Sequence, residues 1–432
     1  MNYAFLPDLS ALAILIVVLL LMRRRHPHEQ ADIWILGLLI TLVESSAHIF
    51  YSKTGMPART LHVIVLNCYL IAGVVFTWDS RNHPISSKLR LLYLFLNGLP
   101  LLAVTTLYGL HIYKPFPYEV AVSAGIVVAA ASSVYFHRTW FVTTVHIGGW
   151  LAIGFLAHQG MYRQTVYWSL CGVYAVAAFK YKNRLPSQST GRLAILTGFF
   201  TWSLCLFVHP FIVHYRGYAD IASHVWNMQK ALITIGMILV MLEEQVSSNQ
   251  WLALHDHLTG LPNRRSFENH LQNALSRCRR PNHSVALLVL DLDGFKQIND
   301  SLGHQAGDQI LCGVTKNLLA HLPASATIAR VGGDEFTVIF PEITDTAALD
   351  RISGEIRSIV EKPILLNDMP FTMSASLGIA IYPQDTEDIT SLFLIADQRM
   401  YAFKRSPGLS DNVSRLTITY DPQVVPVTQD PA

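Results

Sequence analysis

Asp334 and Glu335 are the side chains best placed by sequence to do chemistry, because they follow directly on Gly332-Gly333. The two glycines carry no side chain, so backbone at that point can approach a bulky ligand closely. On either side, Ile328-Ala-Arg-Val331 and Phe336-Thr-Val-Ile-Phe340 are β-branched and aromatic runs, the signal of a hairpin bent at the glycines. Neighbouring strand residues point to opposite faces, so the two carboxylates are expected to serve two different roles. Standing alone, the stretch would read as a hairpin tipped with solvated acids.

Further polar residues precede it. Val285-Ala-Leu-Leu-Val-Leu-Asp-Leu-Asp293 is an apolar run ending in acids, the pattern of a buried strand that delivers carboxylates to a sheet edge. Phe295, Lys296, Asn299 and Asp300 follow, then Gly303-His304-Gln305-Ala306-Gly307-Asp308. Upstream lie His255-Asp256 and Leu258-Thr259-Gly260-Leu261-Pro262-Asn263-Arg264-Arg265, and downstream Ser374-Ala375-Ser376-Leu377-Gly378. In order and spacing these motifs resemble the GGDEF family, the diguanylate cyclases, over about residues 255 to 408.

The resemblance implies a reaction that joins two GTP molecules into cyclic di-GMP and releases two pyrophosphates. Each step sends a ribose 3′-hydroxyl against an α-phosphate, so a proton must leave and phosphate charge must be met. Two Mg²⁺ ions per site, or Mn²⁺, are expected to do both. Asp291, the Leu292 carbonyl and Asp334 match the family's metal-binding positions, and Glu335 with Asp334 forms the catalytic pair of the signature. Asn299 and Asp308 match the guanine-reading amide and carboxylate; adenine offers no such donor pair to the acid. Lys296 and Lys404 match phosphate contacts, and Gly332 and Gly333 leave room for the nucleotide. Each could singly be a helix cap or a solvated lysine.

Two departures stand out. The family's late lysine is commonly followed by a glycine-arginine ending, but the run here is Lys404-Arg405-Ser406-Pro407-Gly408-Leu409, with no arginine in the slot at 408 or 409. Many relatives also bind product at an Arg-x-x-Asp motif five residues before the glycine pair; here those slots are Pro323 and Ala326, so no product-inhibition site is expected.

The elements that must position these residues divide in two. Hydrophobic residues make up 51% of the 432 and charged ones only 14%, too apolar for an ordinary soluble protein. The first 240 residues are nearly devoid of acids, whereas the remainder has an ordinary soluble composition. Net charge of +2 says nothing about partners, and no nucleic-acid role is expected. Cysteines 68, 171, 205, 278 and 312 share no metal or redox spacing and read as reduced, packed side chains. The expected domains are a multi-pass transmembrane sensory domain over 1–240, a signalling-helix linker over 241–257, a GGDEF catalytic domain over 258–421 and a disordered tail over 422–432.

Apolar segments near 7–22, 33–51, 60–78, 91–110, 119–136, 140–158, 165–180, 192–213 and 224–242 suggest about nine crossings of the lipid bilayer. No basic stretch precedes the first segment and Arg23-Arg24-Arg25 follows it, so it reads as an anchor with its amino terminus outside. The internal loops then hold Arg23, Arg24, Arg25, Arg81, Lys88, Arg90, Arg138, Lys180, Lys182, Arg184 and Arg192, against Lys53, Arg59, Lys114, Arg163 and Arg216 outside. This bias places the carboxy-terminal half in the cytoplasm, and the resemblance implies a bacterial inner membrane. Glu44 and His48, four apart, and His62, Asn67, His146, His158, His209 and His214 lie in or near spans. They read either as a pocket for an unknown sensory ligand, metal or haem, or as interhelical hydrogen bonds. Lys230, near the start of the last span, is long enough to snorkel to the surface, so its place there is no sign of function.

From about 237 to 257 Leu239, Leu242, Val246, Asn249 and Leu252 keep a helical spacing without Gly or Pro, so one continuous helix is expected to leave the membrane and pair with its twin. In the soluble half the pattern predicts helices near 264–279, 295–302, 307–321, 345–360 and 388–405. Strands are predicted at 284–291, in the hairpin 328–340, at 371–381 and near 413–420. This is an α/β fold with helices over a mainly antiparallel sheet, which the resemblance relates to the nucleotidyl cyclases and the polymerase palm. The expected function is a membrane-bound diguanylate cyclase acting as a homodimer, since one domain holds one GTP and the product needs two. The rival is a catalytically inactive GGDEF domain that binds GTP or regulates a partner.

Overall fold

The structure, a computed structural model, describes residues 6–25, 28, 30–50, 56–78, 87–135, 140–215, 218–277, 284–343, 347–366 and 369–405. The expected strand near 413–420, the tail over 422–432, Gly408 and Leu409 lie outside them. So do Cys278 and the loop cations Lys53, Arg81, Arg138 and Arg216. The chain divides into two compact units, 1–246 and 247–432.

The first unit is helical. Its elements are α1 (Leu6–Arg25), α2 (Ala31–Ile49), α3 (Met56–Phe76), α4 (Ser87–Gly109), α5 (Pro115–Tyr135), α6 (Trp140–His158), α7 (Tyr162–Arg184), α8 (Thr190–Ile212) and the start of α9 (Tyr218–Leu254). Among the described residues seven of these are long and apolar enough to cross a membrane, namely α1 to α5, α8 and α9. The segments expected at 140–158 and 165–180 form α6 and α7; α7, which carries Arg163, Lys180, Lys182 and Arg184, is too polar to be among the seven. Large apolar side chains such as Trp34, Leu38, Leu66, Phe199 and Leu206 are buried between helices, whereas Leu21, Val43, Val127 and Phe200 point outward, as lipid-facing positions would.

The 37 residues of α9 span about 55 Å at 1.5 Å per residue, well beyond the thickness of a bilayer core. The unit boundary falls inside this helix, so the expected continuous helix is present. Leu242, Val246, Trp251 and Leu252 are exposed along it.

The second unit continues with α10 (Arg264–Arg277), β1 (Ser284–Leu292), α11 (Phe295–Leu302), α12 (His304–His321), β2 (Thr327–Arg330), β3 (Glu335–Ile343) and α13 (Ala347–Val360). It closes with β4 (Ile364–Leu366), β5 (Met369–Phe371), β6 (Ala375–Tyr382) and α14 (Ile389–Lys404). An antiparallel sheet runs β2-β3-β1-β6, and β4 with β5 forms a separate two-stranded sheet. The single strand expected at 371–381 is therefore two elements.

Burial on both sheet faces explains the unbroken apolar run of β1. Ala286, Leu288 and Leu290 pack with α11, α12 and α13 through Ile298, Ile310, Val314, Leu318, Ile356 and Ile359. Val285, Leu287 and Val289 pack on the other face with α10 and α14 through Phe267, Leu271, Leu392, Ala396 and Met400. The period of two then fixes Asp291 on the α10 and α14 side. Gly378 lets α14 lie against β6, since a Cβ there would sit 2.1 Å from the Ala396 carbonyl oxygen and 2.3 Å from Met400 N. That close approach aims the end of α14 at the end of β1.

Candidate active site

Asp291, the last polar residue of β1, lies directly across the sheet from Glu335, the first residue of β3. Opposed residues on one face of an antiparallel pair bring their Cβ atoms to about 5 Å. Asp334 joins them from the bend, where its carbonyl accepts from Leu292 N at 3.3 Å. The glycines do what their sequence promised, in different ways. A Cβ on Gly332 would meet Glu335 Oε2 at 2.5 Å, whereas nothing lies within 4 Å of one on Gly333. Gly333 therefore leaves the open side of the bend.

Lys404, at the end of α14, donates to Asp291 Oδ1 at 2.5 Å. Burial raises the Asp291 carboxyl above its ordinary value against the pull of Lys404, and Asp334 and Asp293 push the same way. Burial also raises Glu335; Asp291, Asp334 and Asp397 add to the rise while Arg264 opposes it. Burial disfavours the charged Lys404, yet its bond to Asp291 leaves its pKa raised. The site is thus a knot of like charges with two cations at its rim. Asp397 lies outside the motifs legible in the sequence and Arg264 stands in one of them without an assigned role; packing of α14 and of the α10 start brings both in across long stretches of chain.

Asp293 is buried and accepts from Ser376 Oγ at 2.7 Å and Ser374 Oγ at 3.0 Å. The 374–376 stretch thereby ties down the acid just beyond the strand end. Asn299 lies against Gly307, where a Cβ would stand 2.0 Å from its Oδ1, and Asp308 follows, exposed, on α12. The amide and the carboxylate expected to read a base thus sit on two packed helices. Lys296 is exposed one turn before Asn299, and among the described residues no hydrogen bond or ion pair joins it to the acids. Pro323 is exposed and its carbonyl accepts from Ala326 N at 2.9 Å, closing a turn.

The glycine bend is held from behind. Arg330 donates to the Gly333 carbonyl through Nε at 3.1 Å and Nη2 at 2.7 Å, and to Asp256 Oδ1 through Nη1 at 2.8 Å. Asp256 also accepts from Thr259 N at 2.9 Å and Thr259 Oγ1 at 2.6 Å. Burial would raise this carboxyl, but the Thr259 bonds and Arg330 bring it below its usual range.

In the helical unit Lys230 is buried at 2% exposure and ion-paired with Glu44, itself 1% exposed. It also donates to Ser45 Oγ at 2.7 Å and Asn227 Oδ1 at 3.3 Å. Lys230 therefore does not snorkel, because a buried carboxylate and two polar groups compensate its charge. His48 Nδ1 stands 3.0 Å from Glu44 Oε1. Asn67 bonds Thr105 and Thr106 across helices, His158 pairs with Glu119 at 2.9 Å, and His214 meets Arg163 at 2.9 Å. Among the described residues no group of three or more His, Cys, Asp or Glu side chains is placed to hold a metal ion.

Comparison with known proteins accords with this architecture. Residues 253–408 match the family described as diguanylate cyclase, GGDEF domain. The diguanylate cyclase TpbB of Pseudomonas aeruginosa is 36% identical over 185 residues, 43% of this chain and 42% of that protein. MucR of the same organism, a bifunctional diguanylate cyclase and cyclic di-GMP phosphodiesterase, is 39% identical over 153 residues, 35% of this chain and 22% of that protein. The chain therefore spans less than half the length of either. The solved GGDEF domain of TpbB is 40% identical, covering 35% of this chain and 88% of that one at a TM-score of 0.33. By these matches, residues 253–408 of the chain are a GGDEF domain.

Proposed function

We propose that the chain is a membrane-bound diguanylate cyclase, converting two GTP into cyclic di-GMP and two pyrophosphates. The supporting observation is the placement of Asp291 opposite Glu335, with Asp334 in the adjoining bend and Lys404 on Asp291. The donors there are all oxygens, two carboxylates and the Leu292 carbonyl, a set that fits a hard divalent cation. Mg²⁺ or Mn²⁺ held by Asp291, Leu292 and Asp334, two ions per site when nucleotide brings its phosphates, would neutralise phosphate charge and acidify the 3′-hydroxyl.

The chain's own residues divide the rest of the work. Glu335, its pKa raised by burial and by Asp291, suits a group that takes a proton from the attacking hydroxyl. Lys404 gives up Asp291 when that carboxylate is engaged, and its ammonium turns to the phosphates along with Lys296. Asn299 and Asp308 read the guanine edge, and Gly332 and Gly333 leave space for the nucleotide. Product needs two such sites face to face, so the active form is a homodimer, with the exposed Leu242, Val246 and Leu252 of α9 as the stripe on which two copies pair.

The domain assignment follows: a sensory membrane region over 1–240 for an unidentified ligand, a signalling helix over 241–257, a catalytic domain over 258–421 and a tail over 422–432. The location is the bacterial inner membrane with the GGDEF domain in the cytoplasm, on the distribution of loop cations. Pro323 and Ala326 can hold neither a phosphate nor a guanine edge, so added cyclic di-GMP is not expected to slow the enzyme. The rival, a non-catalytic GTP-binding module, has the glycine at 408 in its favour. Incubating the purified full chain with GTP and Mg²⁺ separates the two: cyclic di-GMP on chromatography supports the cyclase, and GTP bound but unconverted supports the rival.

A further inference from the structure

Asp291, Asp334 and Asp397 raise the Glu335 carboxyl at the end of the sheet, and two cations, Lys404 and Arg264, stand beside these acids. One cation, Lys404, is engaged by Asp291. The other is Arg264, the first residue of α10. Its Nε donates to the Val331 carbonyl at 3.3 Å, immediately ahead of the glycine bend, and its guanidinium carbon lies 5.9 Å from the Phe393 ring centroid. Those contacts hold the guanidinium near the bend. Its Nη2 lies 3.9 Å from Glu335 Oε2, too long for a hydrogen bond. The side chain is exposed, so guanidinium donors face solvent beside the acids and the open bend at Gly333.

We propose that Arg264 binds the phosphates of the nucleotide. The inference rests on the GTP-site reading above and adds a residue to it. A polyphosphate entering among these acids meets like-charge repulsion, and Arg264 adds a fixed positive charge beside the bend to those of Lys404, Lys296 and the divalent ions. A planar guanidinium anchored through Nε offers its remaining donors in the fork that fits two phosphate oxygens. Arg405 offers no such geometry: its guanidinium carbon lies 4.9 Å over the Tyr401 ring on the exposed end of α14. The competing explanation is a purely structural one, in which Arg264 only clips the start of α10 to Val331.

The test uses the full chain in detergent and compares Arg264→Ala, Arg264→Lys and Arg405→Ala for binding of GTP and of guanosine in Mg²⁺. Loss of a charge-assisted contact should weaken GTP by about ten- to a hundredfold in Arg264→Ala and leave guanosine unchanged. Arg264→Lys should recover part of the loss, and Arg405→Ala should stay within about twofold of the parent, the scatter of near-neutral surface changes. Unchanged GTP affinity in Arg264→Ala, or equal losses for GTP and guanosine, overturns the proposal while leaving the site reading intact. Absence of GTP binding by the unaltered chain overturns both.

Discussion

Lys404 bonds Asp291 at 2.5 Å across 113 residues of sequence, so the end of the last described helix sits on the acid at the end of the central strand. The contact places a protein cation where a divalent ion is expected to bind, and the two must compete. Lys404→Met is therefore expected to tighten Mn²⁺ binding in the absence of nucleotide, measured by electron paramagnetic resonance. The same variant should raise the KM for GTP by about tenfold or more, as expected for a lost charged contact. Weaker Mn²⁺ binding would show that the lysine supports the ion site rather than occupying it.

Base selection should fail separately from ion binding. Asn299→Ala removes an amide held against Gly307 and leaves the strand-end acids untouched. The preference for GTP over ATP should fall by about ten- to a hundredfold, while Mn²⁺ affinity changes little. Equal losses for both nucleotides, read by competition binding, would place Asn299 outside base recognition.

Arg330→Ala should cost stability and activity together. It frees the Gly333 carbonyl and leaves Asp256, half-buried, without its guanidinium. Loss of a charged hydrogen bond of this kind is worth about 2–3 kcal/mol. Denaturant unfolding followed in the GGDEF domain should show that loss, and residual turnover should drop because the bend that carries Asp334 is no longer pinned. A variant of parental stability would mean that the clasp is dispensable.

A pH signature should come from Asp385 and Arg399. Arg399 bonds both carboxylate oxygens at 2.7 and 2.8 Å and Ile381 N donates at 2.8 Å, which holds the carboxyl below its ordinary value despite partial burial. A carboxyl with a depressed folded-state pKa stabilises the fold above its unfolded value of about 4, and that contribution disappears as pH falls through the lower folded value. The Tm gap between the parent and Asp385→Asn should be widest near pH 7 and close as pH falls through the lowered folded-state value. A gap constant with pH would remove the ionised pair as its cause.

Much of the site was legible because its signals are local. The apolar run ending at Asp291, the glycine pair before Asp334 and the alternation of β3 each declare themselves within about ten residues, and the fold placed them together as expected. What escaped depends on packing between distant segments. Arg264 and Asp397 reach the acids only because α10 and α14 cover one face of the sheet, and Gly378 permits that approach for a reason visible only against Ala396. The role of Lys230 is hidden on the same ground: its partner Glu44 lies 186 residues away, and without it a lysine near the start of a span reads equally well as a snorkel. The short β4 and β5, three residues each, are below the length at which alternation can be recognised.

Whether Asp334 helps hold the ion on which two GTP molecules are joined is tested most directly by measuring cyclic di-GMP formed from GTP and Mg²⁺ by the full chain and by Asp334→Ala. Product is expected from the parent and none above background from the variant, with the variant's unfolding transition unchanged. Equal product from both would contradict the proposed role of Asp334 and, with it, the cyclase site.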